Sequence, residues 1–247
     1  MPPKRPAADR PKAVIWDLDG TLIDSAEWHW QSWQEILHGE GYPITHEEFL
    51  RGFGRRNDEI LAEYFGADAD PARLADIADR KEARYRDYVE EHGVVVLPGV
   101  EDWLGYLGEE GWRMAVATSA PRENLGIILD VSGLALAFDA VVAREDVLVG
   151  KPDPEVFLKA AALLEVEPVR SIVVEDAAAG VQGAHAAGMA AIGVGPRHAE
   201  LGADLSAERL DDLDDDAFDA LLARWAAIAS TAATPEDQGG IQSAAMP

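Results

Sequence analysis

The feature that most constrains the fold is a regular alternation of short apolar runs and longer helical patterns in the second half of the chain. The apolar runs predict strands at 113–118, 140–143, 171–175 and 190–194. The helical patterns lie before and between them, at 101–110, 122–131, 154–165 and 178–188. Such alternation is typical of a doubly wound parallel sheet, because parallel strands need a crossover connection. The sequence therefore predicts an α/β fold with a Rossmann-like core.

The first half of the chain has a different pattern. An apolar run at 14–16 indicates one more strand, and helical patterns follow at 25–37, 45–51, 56–65 and 71–92. No convincing strand separates these helices, so we predict a helical cap domain at 27–94 inserted into a core formed by 12–26 and 95–227. The polar, pattern-free ends predict a flexible N-terminus at 1–11 and a disordered tail at 228–247.

Composition narrows the possible partners. The 247 residues include 21 Lys and Arg against 46 Asp and Glu, so the formal net charge is 21 − 46 = −25. That balance argues against nucleic acid and anionic membranes as partners, because a phosphate backbone must be met with positive charge. The simplest explanation of the charge is a solvated acidic surface. Any anionic substrate must then be held by a few well-placed basic residues.

Cysteine and targeting segments are absent from the sequence. With no cysteine, disulfides and thiolate chemistry are excluded. No apolar run approaches the length of a membrane span, and the first residues lack the apolar region of a signal peptide. The default expectation is therefore a cytoplasmic protein, and we also expect a monomer.

Two aspartates follow the first predicted strand directly. Asp17 and Asp19 are two residues apart, so in an extended chain their side chains point to the same side. Two carboxylates held together repel each other unless a cation or a shared proton offsets their charge. The pattern indicates a metal site, an acid/base role, or both. A plain Asp-Gly turn would explain Asp19 but not Asp17.

Two further residues suggest an anion site at the same edge of the sheet. Ser119 follows the strand at 113–118, where a hydroxyl and the amides of a helix N-terminus bind anions, although it could equally be a helix N-cap. Lys151 stands in a loop braced by two prolines, which presents it rigidly, although a lone lysine is more often a surface charge.

Glu175 and Asp176 end the strand at 171–175 and suggest metal ligation, although Asp176 could instead cap the following helix. Oxygen ligands without cysteine or histidine favour a hard cation, most of all Mg²⁺. A hydroxyl, a lysine and helix amides around such a centre form a cradle for a phosphoryl group.

Taken in order and spacing, these residues resemble the motifs of a known family. Asp17-Leu-Asp-Gly-Thr21, Thr118-Ser119, Lys151-Pro152 and Glu175-Asp176 look like the four motifs of the haloacid-dehalogenase superfamily. Each motif alone is weak, but the set is highly specific and the resemblance covers about residues 12–220. The helical insertion resembles the α-helical cap of the subgroup of sugar-phosphate phosphatases and β-phosphoglucomutase-like enzymes.

The resemblance implies a phosphoryl-transfer enzyme that uses Mg²⁺ and a small phosphorylated metabolite. It implies that Asp17 is the nucleophile and forms an aspartyl-phosphate, and that Asp19 is the general acid/base. Because Asp19 has to donate a proton near neutrality, we expect its pKa to be raised, with closure of the cap supplying the desolvation.

The same resemblance implies the ligands of the metal and of the phosphoryl group. Asp176 is expected to bind Mg²⁺ together with Asp17 and the backbone carbonyl of Asp19, with Glu175 in or next to that set. Ser119 and Lys151 are expected to hold the phosphoryl oxygens.

Phosphatase and mutase are harder to separate. Four residues resemble substrate-contacting positions of mutases: His29, Arg55, Lys81 and Arg122. From the residues alone, His29 could equally pack beside Trp33, and Lys81 could equally snorkel to the surface. Because Gly54 stands where the mutase pattern has a hydroxyl, we favour a phosphatase over a mutase. A non-catalytic, receiver-like phosphoacceptor is a remote alternative, because receivers are much shorter and carry no helical insertion.

Overall fold

The computed structural model describes residues 10–66 and 68–232, and these form an α/β fold with a six-stranded parallel sheet. The strands are β1 (Ala13–Trp16), β2 (Ile23–Asp24), β3 (Val95–Val96), β4 (Arg113–Ala117), β5 (Ala140–Val142), β6 (Ser171–Glu175), β7 (Ala190–Gly193) and β8 (Leu205–Ser206). The helices are α1 (Ala26–Gly39), α2 (His46–Gly52), α3 (Asn57–Phe65), α4 (Pro71–His92), α5 (Val100–Glu109), α6 (Arg122–Ser132), α7 (Glu155–Leu163), α8 (Ala178–Ala186) and α9 (Ala217–Ala232). The predicted fold class is confirmed.

The sheet has the order β5-β4-β1-β6-β7-β8, with every pairing parallel. From the central β1 the chain passes to β4 and β5 on one side, and then crosses to β6, β7 and β8 on the other. The direction of winding therefore changes between β1 and β6. Crevices outside the carboxyl ends of strands at such a switch point are where α/β proteins bind ligands.

Both faces of the sheet are buried, which explains why its strands read as continuous apolar runs. Successive side chains of β1 alternate between two hydrophobic clusters, as a strand requires. Val14 and Trp16 pack in the cluster that contains Phe218 of α9, whereas Ile15 packs on the other face with Phe157 of α7.

Helices α1 to α4, here called the helical insert (residues 26–92), have a hydrophobic cluster of their own. It includes Trp33, Leu37, Phe49, Leu61 and Ile77. The second half of α4 belongs instead to the core, where Tyr85 and Val89 join the cluster of β1. The chain enters and leaves the insert side by side, because β2 and β3 form an antiparallel pair. The division into a core and a cap domain with the predicted limits stays a prediction.

The chain ends differ from the prediction in one respect. Helix α9 continues to Ala232, so the first residues of the predicted disordered tail at 228–247 are helical. The reason is that α9 is anchored in the core by Phe218, Leu221 and Leu222, and alanine-rich sequence propagates a helix once it has begun. Residues 1–9 and 233–247 lie outside the described residues. Within the described ranges, none of the helices has both the length and the apolar composition that crossing a bilayer requires.

Candidate active site

Lys151 lies where the carboxyl ends of three neighbouring strands meet. Its ammonium group donates hydrogen bonds to the carboxylate of Asp17 after β1, to the carbonyl of Ala117 in β4 at 3.1 Å, and to Glu175 Oε1 in β6 at 2.7 Å. All three ammonium protons are therefore used. The alternative of a surface lysine is wrong, because the side chain is only 8% exposed.

Asp17 is held by the sheet itself. Its backbone N–H donates to the carbonyl of Val174 at 3.0 Å, so the pairing of β1 with β6 continues one residue beyond β1. That register brings the carboxylate of Asp17 next to the acidic residues at the end of β6. Asp17, Glu175 and Asp176 each offer a carboxylate oxygen, and these oxygens lie within 4.8 Å of one another.

Three carboxylates around one ammonium group leave this cluster with excess negative charge. Burial raises the pKa of Asp17 well above its usual range, and the nearby charges of Glu175 and Asp176 raise it further against the opposing effect of Lys151. Burial and Glu175 raise the pKa of Asp176 to about 7. Burial opposes the charge of Lys151, but Asp17 and Glu175 outweigh it and raise the pKa of the lysine. Such electrostatic frustration is typical of functional sites.

The three carboxylates suit a hard divalent cation, because carboxylate oxygens are the ligands that Mg²⁺ prefers. Two glycines keep the space around them clear. A Cβ atom on Gly20, whose φ is +82°, would lie 2.2 Å from Asp176 Oδ2, and a Cβ atom on Gly180 would lie 1.8 Å from Glu175 Oε1. The alternative that Asp176 caps a helix is wrong, because α8 begins at Ala178 without a side-chain cap.

The carboxylate of Asp19 is not one of these three and turns toward the helical insert. Its Oδ1 atom accepts a hydrogen bond from Ser25 Oγ at 2.5 Å and lies 3.4 Å from His29 Nε2. Burial alone would raise the pKa of Asp19, but the hydrogen bonds of His29 and Ser25 and the charge of Lys81 outweigh it and lower the pKa. The expected raised pKa is therefore wrong, because donors surround this carboxylate.

Lys81 and His29 stand behind Asp19. Lys81 Nζ is 2.7 Å from His29 Nδ1 and 3.0 Å from Glu82 Oε1, and the residue is 1% exposed. The snorkelling alternative for Lys81 is thus wrong. The ring of His29 stacks on Tyr85 with centroids 3.9 Å apart, so it is packed, but against Tyr85 rather than Trp33.

Among the remaining predicted residues, the structure brings Ser119 and Arg55 to the cavity but not Arg122. The N-cap alternative for Ser119 is wrong, because Pro121 precedes the first residue of α6. Arg55 is paired with Glu63 at 2.9 Å and lies 3.6 Å from Glu59. Arg122 pairs with Asp146, and its backbone N–H donates to Glu145 at 3.0 Å.

Apart from Arg122, these groups surround one cavity, partly open to solvent, between the sheet edge and the helical insert. The core lines it with the carboxylates, Ser119 and Lys151, and the insert lines it with His29, Arg55 and Lys81. The sequence interpretation missed several lining residues: Arg56, Asn57, Tyr64, Glu82 and Arg144. Arg56 directly follows Arg55 and that pair was a usable signal, whereas nothing in the sequence around Arg144 pointed to the cavity.

Comparison with known proteins is consistent with this geometry. The family described as haloacid dehalogenase-like hydrolase matches residues 14–194. A β-phosphoglucomutase of Bacillus subtilis is 35% identical over 82% of this chain and 91% of its own length. A fructose-1-phosphate phosphatase of Escherichia coli is 35% identical over 75% of this chain and 97% of its own length.

A solved structure agrees with the fold over most of the chain. The crystal structure of a β-phosphoglucomutase from Clostridium difficile has a TM-score of 0.79 at 25% identity, over 87% of this chain and 98% of that one. With the strand-end carboxylates, the buried lysine and the matched family in place, the chain belongs to the haloacid dehalogenase-like hydrolases, a family of enzymes.

Proposed function

We propose that the protein is a Mg²⁺-dependent phosphohydrolase that releases phosphate from a small phosphorylated metabolite, of the sugar-phosphate kind. The observation that carries the proposal is the junction at Lys151, whose ammonium group joins Asp17 to Glu175 at the floor of the cavity. A buried carboxylate with a cation at its side, facing an open cavity, is arranged to attack an electrophile held there. The phosphatase name of the relative from Escherichia coli supports this substrate class.

In this proposal a carboxylate oxygen of Asp17 attacks the phosphorus atom, and the bond from phosphorus to the leaving oxygen breaks. In its protonated form Asp19 gives a proton to that oxygen, and the resulting carboxylate later takes a proton from the water that hydrolyses the aspartyl-phosphate. The hydrogen bonds from Ser25 and His29 hold Asp19 in position for both transfers. The Ser119 hydroxyl binds a phosphoryl oxygen, and Lys151 binds another by exchanging one of its present acceptors for it.

Asp17 and Asp176, with Glu175 beside them, would hold Mg²⁺, as their clustered oxygens suggest. When bound, the cation offsets the negative charge of the phosphoryl group and of the carboxylates. Cytoplasmic location, a monomeric state and the absence of nucleic-acid and membrane partners stay predictions.

Replacement of the nucleophile tests the proposal. With Mg²⁺ present, Asp17→Asn should lower phosphate release from fructose 1-phosphate on the order of 10⁴-fold or more, because the amide cannot form the acyl phosphate. Asp130→Asn, on the exposed side of α6, changes the same group away from the cavity and should leave the rate unchanged. Full turnover by Asp17→Asn would refute the mechanism.

A mutase is the second candidate, favoured by the likeness to β-phosphoglucomutase and by the His29–Lys81 contact at the cavity. A mutase has to exclude water by clamping a specific sugar. Two of the predicted clamping cations, Arg55 and Arg122, are instead paired with acidic residues of the chain itself. We therefore favour the phosphatase.

Measuring inorganic phosphate and glucose 6-phosphate in one reaction decides between the two. β-Glucose 1-phosphate with a trace of the bisphosphate should give free phosphate in step with substrate loss. Stoichiometric isomerisation without phosphate release would establish the mutase.

A further inference from the structure

Glu82 is a buried carboxylate that the proposed phosphoryl transfer does not use. It lies on α4 and is 6% exposed. Its Oε1 atom accepts hydrogen bonds from Asn57 Nδ2 at 2.5 Å and from Lys81 Nζ at 3.0 Å, and its Oε2 atom accepts one from Asn124 Nδ2 at 2.5 Å. A buried charge with this many committed donors is fixed in one geometry.

The partners of Glu82 belong to two parts of the molecule. Asn57 begins α3 in the helical insert, whereas Asn124 lies in α6 of the core. Asn124 is 1% exposed, and its Oδ1 atom accepts a hydrogen bond from Arg86 Nη1 at 3.0 Å. Because Arg86 can only donate, it fixes the orientation of the amide and commits the Nδ2 side to Glu82. Glu82 thus bridges the insert and the core.

Further contacts connect Glu82 with Asp19. A lysine ammonium group carries donors only, so Lys81 donates to His29 Nδ1 as well as to Glu82. The neutral ring then carries its proton on Nε2, the nitrogen that faces Asp19 Oδ1. A chain of contacts therefore runs from Asn124 through Glu82, Lys81 and His29 to the second aspartate after β1.

We propose that Glu82 is a positioning residue that holds Asp19 in place, and that it does so only while α4 lies against α6. While its carboxylate accepts the hydrogen bond from Asn124, Glu82 holds Lys81 against His29, and His29 in turn orients Asp19. The inference rests on the proposed function for the role of Asp19. It connects the packing of the helical insert against the core with the orientation of the acid/base residue Asp19.

A second contact between the same helices provides a matched control. Arg86 Nη2 lies 3.2 Å from Glu123 Oε2, and the Glu123 side chain is 77% exposed. This ion pair also joins α4 to α6 but is not a member of the chain that leads to Asp19. Asn124→Ala removes the bridge to Glu82, whereas Glu123→Ala removes only the exposed contact.

Two substrates separate positioning from a general loss of structure. The alkoxide leaving group of fructose 1-phosphate needs a proton, whereas the phenolate of p-nitrophenyl phosphate does not. Asn124→Ala should lower kcat for fructose 1-phosphate about tenfold more than kcat for p-nitrophenyl phosphate, with little change in KM. Glu123→Ala should lower neither by more than about twofold. Equal losses on both substrates in Asn124→Ala would overturn the inference.

Hydrogen–deuterium exchange tests the bridge without any activity. Exchange at the backbone amides of the second half of α4 should be faster in Asn124→Ala than in the wild type, and unchanged in Glu123→Ala. If the wild-type protein hydrolyses neither substrate, the proposed function fails, and the exchange result still decides whether the bridge exists. Unchanged exchange in Asn124→Ala overturns the inference whatever the activity. Should Asn124→Ala not fold, Glu82→Gln keeps the shape of the side chain, and it should show the same selective loss and the same faster exchange.

Discussion

Two buried lysines, Lys151 in the core and Lys81 in the helical insert, contact acidic side chains, but the charges around them differ. Lys151 donates to two carboxylates, and a third lies beside them in Asp176. Lys81 donates to the single carboxylate of Glu82 and to the ring of His29. The groups around Lys151, here called the core cluster, have an excess of negative charge. The groups around Lys81, here called the insert cluster, are close to neutral.

The titration behaviour of the two clusters follows that difference. In the core cluster, burial and neighbouring carboxylates raise the pKa of Asp17 and of Asp176, so the ionised forms of these groups carry an electrostatic cost. In the insert, burial of Glu82 is outweighed by the charge of Lys81 and by the hydrogen bonds of Asn57 and Lys81, and its pKa falls to about 2. The core cluster is thus arranged to receive a cation and a substrate, and the insert cluster to hold neighbouring groups in place.

Among the changes that test the difference between the two clusters, the largest effect should come from removing the lysine of the core cluster. Lys151→Met leaves Asp17, Glu175 and Asp176 without their cation and removes a donor to the phosphoryl group. We expect kcat/KM for a sugar phosphate to fall about 10³-fold. Lys159→Met, on the exposed side of α7, removes the same charge away from the cavity and should have little effect. Near-normal activity of Lys151→Met would mean that the core cluster does not have the role in substrate binding that separates it from the insert cluster.

Replacement of Asp19, which lies between the two clusters, should have the next largest effect. Asp19 lies in the core but is oriented by His29 and Ser25. Asp19→Ala should lower kcat on a sugar phosphate about 10²-fold more than on an aryl phosphate, because only the sugar leaving group needs a proton. Asp24→Ala, an exposed aspartate in the same connection, should lower neither. Equal losses on the two substrates would show that Asp19 is structural.

The contribution of the insert cluster should appear in the free energy of unfolding rather than in metal binding. Because the pKa of Glu82 is lower in the folded state than its usual 4.5, its contribution to stability is complete above pH 4.5 and is lost as the pH falls toward 2. Over that window the wild type should lose about 3 kcal/mol of unfolding free energy relative to Glu82→Gln. Urea unfolding of both proteins at a series of pH values measures this difference. Parallel curves would mean that Glu82 is not paired as described.

The core cluster could be predicted from the sequence and the insert cluster could not, for a physical reason. Asp17, Lys151 and Asp176 come after strands of one parallel sheet and Glu175 ends one, and the carboxyl ends of such strands meet at one edge. Neighbours between helices depend instead on how the helices pack, which periodicity does not specify. The pattern of α4 therefore gave no sign that Glu82 would contact Asn124, which lies 42 residues further along the chain and beyond the predicted boundary between cap and core.

The same limit applies to Arg144, in the segment before Lys151. Its replacement should have the smallest effect. The resemblance points to Arg122 as a substrate contact, but Arg122 pairs with Asp146, whereas Arg144 lines the cavity and lies 3.9 Å from its nearest acidic partner, Glu145. Arg144→Gln should raise KM for a sugar phosphate about threefold to tenfold, as expected for one partly screened charge. Arg122→Gln should stay within about twofold.

The salt dependence of KM makes this last comparison more specific. A direct contact between the Arg144 guanidinium and an anionic substrate weakens as salt is added, so the difference between Arg144→Gln and the wild type should shrink at high ionic strength. A larger KM effect from Arg122→Gln would mean that substrate binding draws Arg122 away from Asp146 and into the cavity. In that case the family resemblance would describe the substrate-bound site better than the arrangement of charges seen here.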